Sequence, residues 1–420
     1  MQPSPLPAAD ARGDAPPPLR LLALLIAIAS VGPFSLNIVM PALPGMAAAL
    51  RTDIETVQLT LSLYLVCMAV SQLALGALSD RFGRRPVLLA GLALAVFTSL
   101  AAVVATSISA LVTARALQAL GASSGIVISR AIVRDLYERD RAASMLGWVT
   151  MVIMVVPMIV PPLGGLLEST LGWSSIFACI ALFAAAVLAW VWHALPETAA
   201  VRAGSGGLVR FLEELGALLR SRSFAGYIIC GATGSALFFA FLGGAPHVVI
   251  TLMGRSAFEL GLWFATAAFA YMIGNYCSAR YSMRFGLDVM IAAGTAIGLV
   301  GGAAMVVLVM AVPEAGPIVI FLPQWITAFA NGVLMPNAIA GAISVRPQAA
   351  GTASGIHGFV QMMVGAAGAQ WVSHLLADAA AAAPMAWVLL AFAVACAVSF
   401  AGLVWQPTLS RSRHQPGNLG

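Results

Sequence analysis

The sequence predicts an all-α membrane protein in which twelve transmembrane helices form two six-helix bundles. Of its 420 residues, 61% are hydrophobic and only 9% are charged, whereas a soluble domain carries about 25% charged residues. Twelve apolar runs each have roughly the 20 residues that a helix needs to cross the hydrocarbon core. The arginines collect in alternate connections between these runs, as they do in multi-pass membrane proteins.

The apolar runs fall into two groups of six on either side of the longest polar segment. The first group is 21–40, 57–78, 87–106, 110–128, 145–167 and 176–193, and the second is 227–250, 262–279, 289–312, 318–343, 355–376 and 385–405. The first run is too long for the core of a typical signal peptide, so we expect it to be retained. The predicted organisation is a tail 1–20, a first bundle 21–193, a linker 194–226, a second bundle 227–405 and a tail 406–420.

The positive charges predict the orientation. All 21 basic residues are arginines, and a cytoplasmic N-terminus places 18 of them on the cytoplasmic side. Only Arg51 and Arg255 then face outward, while Arg115 lies inside the fourth run. Because cytoplasmic loops carry the excess of basic residues, we expect both termini in the cytoplasm. The formal charge of +5 therefore reflects membrane orientation rather than a nucleic-acid partner.

The linker carries an amphipathic pattern, because five apolar residues repeat at helical spacing: Leu208, Phe211, Leu212, Leu215 and Leu219. This pattern predicts a helix that lies on the membrane surface or that serves only as a connection.

The two halves repeat weakly. The string Asp80-Arg81-Phe82-Gly83 follows the second run, and Met283-Arg284-Phe285-Gly286 follows the eighth. Two repeated bundles of six helices predict a substrate path between them.

The most specific segment runs from Gly76 to Pro86 on the cytoplasmic side. Gly76 permits a close helix approach, and Asp80 offers an acceptor to the arginines beside it. Orientation alone would explain the arginines but not the glycines, the aspartate or their spacing. The residues that we assign to this segment's function are Gly76, Asp80, Arg81, Gly83, Arg84 and Arg85.

This segment resembles the loop signature of the major facilitator superfamily. In that family the signature latches the two bundles together on the cytoplasmic side while the cavity faces outward. The resemblance implies that Asp80, Arg81 and Arg84 form such a cytoplasmic latch. It also implies the major facilitator fold and transport by alternating access.

The fourth run contains the string from Arg115 to Gly121, with Gln118 one turn after the arginine. An arginine at membrane depth costs about 2.5–3.5 kcal/mol on insertion scales, so such residues are usually functional. Arg115 resembles the family's membrane-embedded arginine, which implies a role in proton coupling. The alternative is that Arg115 only binds polar neighbours such as Asn37 or Gln118 and holds the bundle together.

The fifth run resembles the antiporter signature of exporters in the superfamily, although the first glycines of that signature are missing. Prolines remove backbone donors and bend the helix, while glycines permit close packing. The matching residues are Pro157, Pro161, Pro162, Gly164 and Gly165.

Three further strings, 40–44, 128–135 and 335–338, resemble the bicyclomycin and chloramphenicol resistance (Bcr/CflA) group of drug exporters. That group usually carries an aspartate where this chain has Asn37, and none of the 16 carboxylates falls inside an apolar run. His357 in the eleventh run is a candidate proton site, because histidine titrates near neutral pH. The alternative role of His357 is packing or hydrogen bonding.

These features favour a secondary active exporter of small drug-like compounds in a bacterial inner membrane, coupled to proton antiport. A facilitator or importer of a small metabolite on the same fold is the second hypothesis, and a non-transporting sensor or scaffold is the third. The predicted cavity residues are the polar or aromatic residues of the runs: Asn37, Tyr64, Gln72, Arg115, Gln118, Trp148, Asn331 and Asn337. Because Arg115 is a fixed positive charge without a carboxylate in the runs, we expect a neutral or weakly acidic substrate.

The sequence offers nothing that is typical of an enzyme. It has no metal-ligand cluster and no phosphate-binding loop. We therefore expect no metal, no cofactor and no nucleic-acid partner. The expected partners are the small-molecule substrate, protons as the coupling ion and the lipid bilayer, around a monomer.

The orientation can be tested with topology reporters. A reporter fused after Arg220 should read cytoplasmic, and a reporter fused within the connection 168–175 should read external. The reason is the excess of arginine on the cytoplasmic side. The opposite result for either fusion would overturn the orientation.

Overall fold

The computed structural model describes residues 19–137, 145, 149, 156–198, 215–346, 349–377 and 379–404. Across these residues the structure is helical, without strands. The long helices are α1 Leu19–Asn37, α2 Ile54–Phe82, α3 Arg84–Val103, α4 Ile108–Leu136, α5 Val156–Leu171, α6 Trp173–Ala194, α7 Arg222–Pro246, α8 Ala257–Phe285, α9 Leu287–Ala311, α10 Ile318–Val345, α11 Ala350–Leu376 and α12 Ala383–Ser399. A 3-10 turn Met40–Ala42 and a short helix Leu43–Ala49 follow α1, and π-helical turns extend α7 to Leu252 and α12 to Val404.

Each predicted apolar run corresponds to one of these helices, so the all-α prediction is confirmed for the described residues. By length and composition alone, ten helices of the described chain are able to cross a membrane. The other two are α5, whose described part has 16 residues, and α11, which has 27. The amphipathic part of the predicted linker lies largely outside the described residues, but residues 215–219 are helical and Leu218 is buried.

The helix ends follow local sequence signals. Asp53 caps α2, because its carboxylate accepts the Thr56 N–H at 2.6 Å and the Thr56 hydroxyl at 3.0 Å. These hydrogen bonds lower the pKa of Asp53 from its ordinary value. Ser107, Ser221 and Ser256 cap α4, α7 and α8 through their side chains.

The weak internal repeat has a matching backbone geometry. Gly83 joins α2 to α3 with φ +93°, and Gly286 joins α8 to α9 with φ +84°. L-residues with a Cβ rarely adopt these angles, so glycine permits both tight turns. The two short repeats in the sequence therefore mark equivalent turns in the two halves.

The halves pack internally around corresponding helices. In the first half, α4 packs against α1, α2 and α3, while in the second half α10 packs against α7, α8 and α9. Small residues allow the helices to approach closely: a Cβ on Gly121 would meet the backbone oxygen of Gly91, and a Cβ on Gly332 would meet that of Tyr271. The halves meet each other mainly along two seams, α2 against α11 and α5 against α8.

Candidate functional site

The signature segment 76–86 joins four helices of the first half. Arg84 donates from Nε to Asp135 of α4 at 2.9 Å and to the Ser79 hydroxyl of α2 at 2.7 Å, and it also pairs with Asp80. The side chain of Asp80 is 67% exposed, whereas that of Asp135 is 26% exposed. Asp135 is therefore the more buried acceptor for Arg84.

A second acidic residue binds the start of α3. Glu197 accepts the backbone N–H of Arg84 at 2.9 Å and that of Arg85 at 3.1 Å. A carboxylate at a helix N-terminus satisfies unpaired N–H groups and interacts favourably with the helix dipole. Arg85 in turn donates to the Trp192 carbonyl at 2.8 Å, and Arg81 lies over the ring of Phe82.

Sequence reasoning assigned neither Asp135 nor Glu197 to this site. Asp135 lies in the string 128–135, which was assigned only by its resemblance to drug exporters. The sequence signal for Glu197 is its position just after the sixth run. All the contacts named above lie within the first bundle or join it to Glu197 at the start of the linker. A Cβ placed on Gly76 would meet no atom of the described residues within 4 Å, and the helix contact expected of Gly76 stays a prediction. The latch between the halves stays a prediction.

Arg115 is 1% exposed and binds three helices of the first half. It donates to the Ser35 carbonyl of α1 at 3.1 Å, to the Thr60 carbonyl of α2 at 3.3 Å and to the Gln118 side chain. Its guanidinium carbon also lies 4.1 Å from the centre of the Tyr64 ring. Cation–π attraction and charge-assisted hydrogen bonds thus replace the water that the guanidinium has lost.

The polar network continues from Arg115 through Gln118 to the Ser99 hydroxyl of α3. Of the two predicted partners of Arg115, Gln118 accepts a hydrogen bond from it. Asn37 instead donates to the Pro33 carbonyl at 2.8 Å, and its Oδ1 is buried without a protein partner.

Three other residues predicted for the cavity form hydrogen bonds between helices of the same bundle. Tyr64 donates to the Gly32 carbonyl at 3.1 Å, and Asn331 donates to the Gly234 carbonyl at 2.9 Å. Asn337 donates to the Ser278 hydroxyl at 2.8 Å. These three bonds join α2 to α1, α10 to α7 and α10 to α8, within one bundle in each case.

Gln72 and His357 lie at contacts with small residues. Gln72 is half-buried, and its Oε1 lies against Gly358 of α11. His357 is 3% exposed, lies against Gly231 of α7, and has no protein partner for Nε2. Trp148 is outside the described residues, so its place in the cavity stays a prediction, as do the roles of the others.

The fifth-run signature forms one of the seams between the halves. A Cβ on Gly165 would meet the Ala257 carbonyl of α8, and a Cβ on Gly164 would meet the Ile38 carbonyl after α1. From the other side, a Cβ on Gly261 would lie 2.7 Å from atoms of Pro162 and 2.6 Å from the Pro161 oxygen. Backbone-to-backbone contact of this kind requires glycine. The side chain of Pro157 is outside what the structure describes.

The second seam is hydrogen-bonded at its external end. The Ser62 hydroxyl donates to Gln370 at 3.0 Å, and Gln370 donates to the Glu55 carbonyl at 3.2 Å. The Ser373 hydroxyl reaches the Ile54 carbonyl at 3.4 Å, and His374 Nδ1 lies 3.1 Å from the Glu55 carboxylate. We call these two seams, α2–α11 and α5–α8 at the ends that the arginine pattern predicts to be external, the external gate. Both seams are in contact in this structure.

Two polar residues near the gate, one buried and one half-buried, were not predicted from the sequence. Gln58 is fully buried against Gly243 of α7, and neither atom of its amide group has a protein partner. Glu168 lies beyond the predicted span 145–167, at the external end of α5, and its Oε2 is buried without a partner. Burial raises the pKa of Glu168 from 4.5 to about 7, because the ionised form loses water and gains no compensating donor at Oε2.

Comparison with known proteins gives a consistent result. A family model described as Major Facilitator Superfamily matches residues 25–369. A chloramphenicol resistance protein of Pseudomonas aeruginosa is 32% identical over 331 residues, which are 79% of this chain and 77% of that protein. Multidrug resistance protein D of Escherichia coli K12 is 29% identical over 82% of this chain and 86% of its own length. A bicyclomycin resistance protein homolog of Haemophilus influenzae is 27% identical over 88% of this chain and 92% of its own length.

Solved structures agree on the fold. A D-xylose-proton symporter superposes with a TM-score of 0.75 at 14% identity, covering 92% of this chain and 98% of its own. A peptide transporter bound to sulfate gives a TM-score of 0.75 at 14% identity, covering 94% and 96%. At this level of identity the similarity extends to the fold alone.

The structural importance of Arg115 can be tested by Arg115→Lys. A lysine keeps the charge but not the planar set of donors that reaches both α1 and α2. We expect the free energy of unfolding to fall by about 1–3 kcal/mol, measured as a lower thermal midpoint in detergent. Arg20→Lys, at the exposed start of α1, is the matched control and should leave the midpoint unchanged. An unchanged midpoint for Arg115→Lys would contradict the three-helix network.

Proposed function

The chain belongs to the Major Facilitator Superfamily, and from this we propose that it is a secondary active exporter of small drug-like compounds. Proteins similar to it over most of their length are named for resistance to chloramphenicol, to bicyclomycin or to several drugs. The excess of arginine on one side supports a multi-pass protein of the bacterial inner membrane with both termini in the cytoplasm.

The closed external gate is the observation that carries the transport mechanism. Its contacts are one glycine-lined helix crossing, α5 against α8, and a few hydrogen bonds between α2 and α11. We propose that 21–193 and 227–405 are the moving bodies and that the external gate opens as the cytoplasmic latch forms. The contact expected of Gly76 belongs to that second state. Rocking of two repeats about a central site is the general scheme for such folds.

The buried charge supports a substrate class. Arg115 is surrounded by carbonyl oxygens, an amide and aromatic rings, and among the described residues no carboxylate pairs with it. A positive charge that is not neutralised in a low-dielectric bundle repels cations and favours neutral or weakly acidic compounds. Phenicols and sulfonamides have this chemistry, and lipophilic cations such as ethidium do not.

We further propose that export is coupled to proton antiport. Asn37 cannot carry a proton, so the site must lie elsewhere. His357 supports a coupling role because its Nε2 is buried without a protein partner in the second bundle. The lack of a carboxylate within the apolar runs instead favours the second candidate, a facilitator or importer of a small metabolite.

Drug susceptibility tests the proposal directly. Expression in a host that lacks its own pumps should raise resistance to phenicols or sulfonamides several-fold, with little effect on ethidium, and an uncoupler should abolish intracellular drug exclusion. Asn37→Asp should improve ethidium export, because the new carboxylate can offset Arg115 or carry a proton. Strong export of ethidium without export of phenicols or sulfonamides would contradict the electrostatic argument. Drug accumulation that reaches the same level with and without the uncoupler would favour a facilitator.

The signature segment allows a matched pair of variants. Asp80→Ala should nearly abolish export with normal membrane insertion, since the exposed carboxylate adds little stability in this state but is needed for the latch. Asp135→Ala should instead lower the thermal midpoint, because it removes the more buried acceptor of Arg84. Drug export and the thermal midpoint, both measured on each variant, separate a role in the latch from a role in stability. Wild-type export by Asp80→Ala would show that the segment serves insertion alone.

A further inference from the structure

Glu168 occupies an unusual position for a carboxylate. It lies at the external end of α5, its Oε1 packs against the backbone of Gly45 in the short helix Leu43–Ala49, and its Oε2 is fully buried. A Cβ on Gly45 would overlap Oε1, so the absence of a side chain at Gly45 creates the space that the carboxyl group fills. The chain thus holds an acidic group in a site where no described residue donates a hydrogen bond to Oε2.

The site belongs to the external gate. Glu168 follows Gly164 by four residues and Gly165 by three, which places all three on one face of α5. On that face Gly165 contacts Ala257 of the second half, and Gly164 contacts Ile38 of the first half. The carboxyl group therefore lies next to the seam that must separate when the gate opens.

The surrounding elements provide no neutralising charge. The charged groups at this end of the packed elements are Arg51 after the short helix, Arg255 before α8 and Glu259 in the first turn of α8. Helix α1 has its titratable side chain, Arg20, at the opposite end, and α6 has His193 at that end and the thiol of Cys179 in its other half. Among the described residues, none of these groups forms a hydrogen bond or ion pair with Glu168.

We propose that Glu168 is a proton-binding site, loaded from the outside, whose protonation favours closure of the external gate. A neutral carboxylic acid can be buried in the closed gate at a lower cost than a carboxylate. When the seam opens, the group meets water and ionises. This inference rests on the proposed function only in that the gate must open and close during transport.

The sign of the pH dependence follows from the two states. The pKa of Glu168 is raised to about 7 in the closed gate and returns toward its ordinary value when the group is hydrated. The closed state therefore binds more protons than the open state. Its advantage is complete below the ordinary pKa and is lost as the external pH rises through about 7.

At the other seam of the gate, His374 of α11 lies 3.1 Å from the Glu55 carboxylate of α2, and both side chains are exposed.

The test measures the distance across the gate rather than drug transport. Spin labels at Thr106 and Ala311, exposed residues near the external ends of the first and second halves, report the distance across the gate in a cysteine-free protein without drug. Between about pH 8 and pH 5.5, the ratio of closed to open populations in the unmodified protein should rise by up to about tenfold per pH unit, the slope for one extra proton. Glu168→Gln should be closed at both pH values. Glu314→Gln, in an exposed external turn, is the matched control and should behave like the parent.

Gly45→Ala provides a second variant that keeps the glutamate. The added methyl group displaces the carboxyl group from its position, so the pH response should flatten with the gate shifted toward the open state. A pH response in Glu168→Gln equal to that of the parent, or no response in the parent itself, would overturn the proposal. Because the distances are measured without drug, a protein that exports nothing but shows this response would disprove the proposed function and leave this inference intact.

Discussion

The helix packing of the first bundle depends on one constraint, which is that the guanidinium of Arg115 is buried away from water. Among the described residues no carboxylate pairs with Arg115, and α1, α2 and α4 bring carbonyl and amide oxygens to it instead. The Ser35 and Thr60 carbonyls are available because α1 and α2 approach α4 closely, and the ring of Tyr64 covers the remaining face. The packing of three helices is thus fixed around a single charge, because an unsatisfied donor at this depth would cost several kcal/mol.

The second bundle shares the fold but not this charge. Its corresponding central helix, α10, is held by the amides of Asn331 and Asn337, which donate to α7 and α8. Neutral amides need fewer partners than a guanidinium, and close glycine contacts such as Gly332 against Tyr271 supply much of the packing. The two bundles are therefore repeats in geometry but differ in electrostatics, with the fixed positive charge on one side of the path between them.

The sequence predicted the helices better than the contacts between them. Length and hydropathy define α1 to α12 because each must cross the same apolar layer, and the positive φ of Gly83 and Gly286 follows from a repeat that can be read directly. The pairing of Glu197 with the start of α3 could not be predicted, because the two lie 112 and 113 residues apart in the chain. Gln58, Gln370 and Glu168 were not predicted for a different reason. A single polar residue in or beside an apolar run hardly changes the mean hydropathy of that run, whereas the role of the residue depends on which helix packs against it.

The polar atoms without protein partners show where this packing is incomplete. Buried polar groups are nearly always satisfied in a folded protein, yet Gln58, Glu168 and Asn37 each have an unpartnered atom near the external gate. In a rigid protein such atoms would only destabilise the fold. In a protein that alternates between two arrangements, no single arrangement has to satisfy every group, and the cost of burial keeps the closed gate from becoming too stable to open. The unsatisfied carboxyl of Glu168 differs from the two amides in one respect: its burial cost depends on pH, so the stability of the closed gate depends on the external medium. The chain lacks a carboxylate within its apolar runs, but it retains one where the outside solution can reach it each time the gate opens.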